Sequence, residues 1–123
     1  MDHVAGTNYF PKAKWLSSSE TIDALKASPD IDSTRILSVK EEFLPGVFAI
    51  PLYGHTLHLN GIAFIHKGYK MVIASDAIMT KNHFQNNTTE FEVDTALAIK
   101  TIKDIKEFFD IAIPGHDNLI IVN

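Results

Sequence analysis

Three short stretches of this 123-residue chain combine residue types able to do chemistry: Gly54-His55-Thr56, Ser75-Asp76 and Pro114-Gly115-His116-Asp117. Each delivers a histidine or an aspartate at the end of an apolar, strand-like run, and a glycine precedes both histidines. Side chains at strand ends, on loops held by a rigid sheet, are where metal ligands and catalytic groups tend to sit. A further pair, Asp2-His3, stands at the start of the chain. Imidazole and carboxylate together suit zinc, manganese or iron, and three protein ligands leave a position open for water. The chain has no cysteine, so disulfides and thiolate ligation are excluded and any metal must be held by His, Asp or Glu.

Singly, each of these residues has a plain structural role available: a histidine can cap a loop, and an aspartate can satisfy loop N–H groups. Asp76 is the most demanding, because it follows the apolar run 71–74, where a carboxylate is costly to bury unless it is paired, hydrogen-bonded or metal-bound. The remaining histidines carry less. His66 sits at a hairpin end, where solvent suffices. His58 is close enough to His55 for its spacing to permit ligation. His83 lies in the loop after Asp76, where it could contact a substrate.

The 46% hydrophobic and 21% charged composition is that of a globular domain with a core of its own. A net charge of −4 gives no reason to expect nucleic acid or an anionic membrane as partner. No apolar run approaches the roughly 20 residues needed to cross a bilayer, and the expected compartment is the cytoplasm.

The elements that must position these residues follow from periodicity. Ser18-Ser19 offers an N-cap for a short amphipathic helix over 20–27, stopped by Ser28-Pro29. Short strands are expected over 13–17, 35–39, 41–44 and 47–52, the last two separated by Pro45-Gly46. Residues 61–66 and 69–74 form a hairpin about Lys67-Gly68, since glycine takes the positive φ that such turns need. Residues 80–87 read as a polar loop. Thr89-Glu90-Phe91-Glu92 matches a capping box, predicting a helix from there to Phe109 with an apolar stripe through Val93, Leu97, Ile102, Ile105 and Phe109. Residues 111–113 and 119–122 are the last strand candidates. This order predicts an α/β chain of helices layered on a sheet.

Asp2-His3, Gly54-His55-Thr56, Ser75-Asp76 and Pro114-Gly115-His116-Asp117 occur in the order and rough spacing of the metallo-β-lactamase-fold hydrolases. The chain resembles that superfamily over essentially its whole length, and most of all its glyoxalase II-like and lactonase-like branches. The resemblance implies the C-terminal half of an αββα sandwich, with residues 1–123 as a partial domain that lacks the N-terminal sheet. It implies a hydrolase in which hydroxide on a zinc-type centre attacks an ester, thioester, lactone or similar bond of a small molecule. One or two zinc ions are implied, with manganese or iron as alternatives.

By the same resemblance the metal ligands are Asp2, His3, His55, Asp76 and His116. Asp76 bridges the two metals, and Asp2 orients the nucleophile or shuttles a proton. In the family the first motif is His-x-His-x-Asp-His. Here Met1 precedes Asp2-His3, and the two leading histidines are absent. Of the three histidines that would hold one metal, only His55 remains. The expectation is a truncated or mis-started chain with an incomplete site and little activity. Two further departures concern loop shape: Leu57-His58 follows where the family commonly has Pro-Gly, and Ser75 stands where the family has glycine before the bridging Asp. A missing sheet would uncover the apolar faces of 47–52, 61–65 and 71–74. This suggests the alternative of a non-catalytic domain that dimerises or binds a partner through its exposed sheet.

Overall fold

The computed structural model describes residues 6, 9–27 and 32–122. It divides into two compact units, Met1–Val39 and Lys40–Asn123.

In the first unit, strand β1 (Trp15–Ser17) and strand β2 (Ile36–Ser38) pair in parallel, with Trp15 opposite Ile36. Helix α1 (Ser19–Lys26) lies between them in sequence, and its N-cap Ser18 accepts the Thr21 N–H. That bond answers one of the free donors at a helix start. Arg35 donates to the carbonyls of Phe10 and Ala13, and its guanidinium stacks 4.5 Å from the Trp15 ring centre. Asp2 and His3 lie outside the described residues.

The second unit is a six-stranded sheet in the order β3 (Glu42–Leu44), β4 (Val47–Pro51), β5 (Asn60–His66), β6 (Tyr69–Ser75), β7 (Ile111–Pro114), β8 (Ile120–Ile121). All neighbours are antiparallel except β6 and β7, which run parallel. A parallel pair needs a crossover, supplied here by α2 (Lys81–Asn86) and α3 (Thr95–Phe108). The β5–β6 hairpin turns at Lys67 and Gly68 with φ of 50° and 87°. Two consecutive positive φ values are those of a type I′ turn, whose twist matches its strands.

Alternation along the strands divides the sheet into two faces. Val72, Ala74 and Ala112 point to one, where they join Ile78, Phe84, Ile102 and Ile105 in the core. The opposite face carries Ile62 against Ile73, Phe64 against Met71, and Ile111 and Ile113 on β7. On that face Ile73 and Ile121 are exposed. The expected uncovering of strand faces is therefore found in part, since Val47, Ala49, Ile62 and Phe64 are half-buried.

Three local expectations change. Residues 81–86 are helical, because Thr80 caps them by accepting the His83 N–H, and Asn87 ends them at a φ of 50°. The long helix starts at Thr95 on the cap Asp94, which accepts the Leu97 N–H, and the Thr89 hydroxyl instead meets Glu92 within the preceding loop. Its buried stripe is Ala98, Thr101, Ile102 and Ile105, while Val93 and Phe108 are exposed. Phe108 lines a shallow apolar cavity of ≈ 410 Å³ with Phe48, Ala63, Ile65 and Phe109. No helix among the described residues is long and apolar enough to cross a membrane.

Candidate metal centre

Strand register alone brings the chemistry-bearing stretches to one edge of the sheet. Pro51, at the end of β4, lies opposite Asn60, at the start of β5, and Ile62 lies opposite Ile73 near the end of β6. The parallel β7 ends level with β6, with Pro114 opposite Ser75. The loops bearing His55, Asp76 and His116 therefore leave the same edge, and each residue needs only its own turn to aim it.

Asp76 is aimed by backbone strain. Ser75 has a φ of +49°, and the β6–β7 register shifts between Ile73 and Ser75. A non-glycine residue in the left-handed region costs on the order of 1–2 kcal/mol. The turn then closes through the Ala77 and Ile78 N–H groups, which donate to the carbonyls of Ala74 and Ser75. Ser75 thus stands where glycine would be easier, as the family pattern suggests, yet it still delivers the carboxylate.

His55 is held from the helix side. Thr101 of α3 donates to the Tyr53 carbonyl at 2.8 Å, and the Val93 and Asp94 N–H groups donate to the Gly54 carbonyl. Gly54 has a φ of +130°, and a Cβ there would lie 2.3 Å from the Ala98 nitrogen. Only glycine lets this loop rest on the first turn of α3.

His116 is held from the Asp76 side. The Gly115 N–H donates to the Ile78 carbonyl at 3.0 Å, and the His116 N–H to the Met79 carbonyl at 2.9 Å. Asp117 accepts the Lys81 N–H at 3.0 Å and the Asn118 N–H at 2.7 Å. The Lys81 hydrogen bond, followed by that from Asn118, holds the Asp117 carboxyl below the usual carboxylate range, so it is ionised at neutral pH.

The result is a nearly buried carboxylate between two imidazoles. His116 Nε2 lies 3.2 Å from Asp76 Oδ1 and His55 Nε2 lies 3.6 Å from Asp76 Oδ2. Two ligand atoms about 2.0–2.1 Å from one tetrahedral ion stand about 3.3 Å apart. Both separations suit donors sharing a cation better than a tight charge-assisted hydrogen bond, which would be about 2.7–2.9 Å. His55 Nδ1 is buried and makes no hydrogen bond to any described residue. A structural histidine seldom leaves that debt. Gly115 permits the close approach of the two strand ends, because a Cβ there would meet Asp76 Oδ1 at 2.0 Å.

The set is incomplete by itself. Among the described residues, no three His, Asp or Glu side chains are arranged to hold one ion. Asp76 meets one histidine with each oxygen, the pattern of a carboxylate shared between two positions that each need further ligands. Asp2 and His3, expected to supply them, lie outside the described residues.

Of the other histidines, His58 meets the Tyr53 ring edge-on at 6.3 Å between centroids. His66 is exposed opposite Tyr69. His83 is better placed than its sequence neighbourhood implied: Nδ1 lies 3.2 Å from the Thr80 hydroxyl and Nε2 lies 3.8 Å from Glu90. Helical spacing over 80–83 was the available signal, hidden by the Asn-rich composition of 82–87.

Comparison with solved structures gives the fold. AidC, a dizinc quorum-quenching lactonase solved in complex with the product N-hexanoyl-L-homoserine, superposes with a TM-score of 0.71 at 15% identity, over 91% of this chain and 51% of its own. A probable metal-dependent hydrolase from Staphylococcus aureus gives 0.70 at 19% identity, over 88% of this chain and 46% of its own. The hydrolase AbOPH, of the β-lactamase superfamily, gives 0.67 at 17% identity, over 88% and 49%. The chain has the metallo-β-lactamase fold and spans about half the length of these structures. Neither family sequence models nor curated proteins gave a match.

Proposed function

We propose that this chain carries part of the active centre of a metal-dependent hydrolase, glyoxalase II-like or lactonase-like, acting on an ester, thioester, lactone or similar bond of a small molecule. The observation that supports this reading most is Asp76, approached at each carboxylate oxygen by a different histidine. The proposed metal is zinc, with manganese or iron as alternatives, and the proposed setting is the cytoplasm. When bound, the metal supplies Lewis acidity and a water that ionises near neutral pH.

The chain's own residues have separable tasks. Asp76, on a strained turn, presents one oxygen to each side of the centre. His55 and His116 offer Nε2 from opposite loops, with side chains 18% and 41% exposed. His116 therefore stands on the solvent side, where a substrate would enter. Asp2 and His3 are proposed to complete the position served by His116, with Asp2 orienting the nucleophile or moving its proton. Because no three His, Asp or Glu side chains among the described residues are arranged to hold one ion, these residues are proposed to hold one ion weakly, at Asp2, His3, Asp76 and His116, and to turn over little substrate.

Metal analysis of the purified chain, with zinc titration and a panel of thioester, lactone and phosphodiester substrates, tests this. The expected result is less than two metals per chain, lost in Asp76→Ala and His116→Ala. Two tightly held metals with ordinary turnover would refute the deficiency, and zinc binding indifferent to both substitutions would refute the centre.

The second reading is a domain that pairs through the sheet face bearing Ile62, Phe64, Met71 and Ile73. It is favoured by the exposure of Ile73 and Ile121. A monomer at micromolar concentration in size-exclusion chromatography would count against it.

A further inference from the structure

We propose that Asp117 is a positioning residue for His116, through a backbone staple that sets His116 against Asp76; this rests on the metal-centre reading above. The observation is a run of consecutive hydrogen bonds between residues 115–117 and 78–81, beyond the last β6–β7 pair of Ser75 and Pro114. Gly115 and His116 donate N–H groups to Ile78 and Met79, and the Asp117 carboxylate accepts from Lys81. Direction reverses along the run, with donors at 115 and 116 and an acceptor at 117. Loop 115–118 is thereby pinned along segment 78–81. The second carboxylate oxygen accepts from Asn118, which closes the loop on its own far side.

The staple matters because it fixes the backbone that carries the His116 ring. Its side chain is 41% exposed against 18% for His55, whose loop is tied to α3. The strand ends also approach through Gly115, where no side chain fills the gap. The carboxylate of Asp117 thus does for the His116 loop what Thr101 and the 93–94 amides do for the His55 loop. Residues that orient a metal-binding imidazole typically change metal affinity about 10–100-fold when removed.

The test uses the full chain, with zinc as probe, in wild type, Asp117→Ala, Asp117→Asn and His116→Ala. Asp32→Ala is the control, since Asp32 makes a similar turn with Thr34 remote in sequence. Zinc titration, amide exchange at Gly115 and His116 without metal, and thermal melting are read together. Asp117→Ala is expected to weaken zinc binding about 10–100-fold and to speed exchange at both amides, with the melt nearly unchanged. Asp117→Asn, which keeps one acceptor oxygen, should fall between, and Asp32→Ala should change neither readout. Wild-type zinc affinity in Asp117→Ala, while His116→Ala loses it, overturns the positioning role and leaves the metal reading intact. Unchanged amide exchange overturns the staple itself. If wild type binds no zinc, the metal reading falls and the positioning role with it.

Discussion

Ser75 and Gly115 place the candidate centre under opposite constraints. At Ser75, a residue with a side chain occupies a left-handed conformation at +49°. Replacing it by glycine removes the steric cost and adds some unfolded-chain entropy. The expected net gain for Ser75→Gly is about 0.5–1 kcal/mol, read as a higher urea midpoint at constant slope. Ser75→Val should lower the midpoint. At Gly115 any Cβ reaches Asp76 Oδ1 at 2.0 Å, and the flexible carboxylate can yield where backbone could not. Gly115→Ala is therefore expected to keep the fold, by circular dichroism, and to lose zinc binding. Unfolding of that variant, or retained affinity, would contradict the geometry drawn here.

At the scale of elements, α3 does two jobs. Ile102 and Ile105 bury in the core with the sheet, and Ala98 and Thr101, on the same face, meet the His55 loop at Gly54 and the Tyr53 carbonyl. Thr101→Val keeps the shape and leaves that carbonyl without its donor. The bond is partly buried, so leaving that acceptor unsatisfied costs about 1 kcal/mol. The expected result is a loss of that size in urea unfolding, together with weaker zinc binding; a stability loss with unchanged zinc affinity would show that α3 supports the core alone. Helix α2 is tied in as well, with Lys106 donating to Asn87 at 2.7 Å and stacking over Phe84. Thr89 and Glu92 meet side chain to side chain, but the expected capping box does not form and the helix starts on Asp94. The 93–94 amides are needed by Gly54 instead, and a tertiary demand displaced a local one.

At the scale of the molecule, one sheet face is served by α2 and α3 while the other shows apolar side chains at Ile73 and Ile121. Apolar surface of this kind favours association. If the sheet face pairs, Ile73→Lys with Ile121→Lys should reduce self-association in sedimentation velocity without lowering the urea midpoint. Unchanged sedimentation would remove the paired-sheet reading and leave the hydrolase reading untouched. At the same scale, the chain matches about half of each compared structure.

The sequence by itself determined the strand pattern, the hairpin turn at Lys67-Gly68 and the candidacy of His55, Asp76 and His116, because alternation, glycine placement and a charged residue after an apolar run are local signals. It also determined which chemistry was available, since imidazole and carboxylate are the only strong ligands the chain offers. The tertiary structure decided that β4, β6 and β7 deliver these side chains at one edge, that Asp76 meets a different histidine with each oxygen, and that Asp117 faces α2. These are consequences of register and crossover between segments about 40 residues apart, and no local pattern encodes them. Asp76 shows the division most clearly. Its burial was predictable from the apolar strand before it, but its partners came only from strands that sequence order keeps far away.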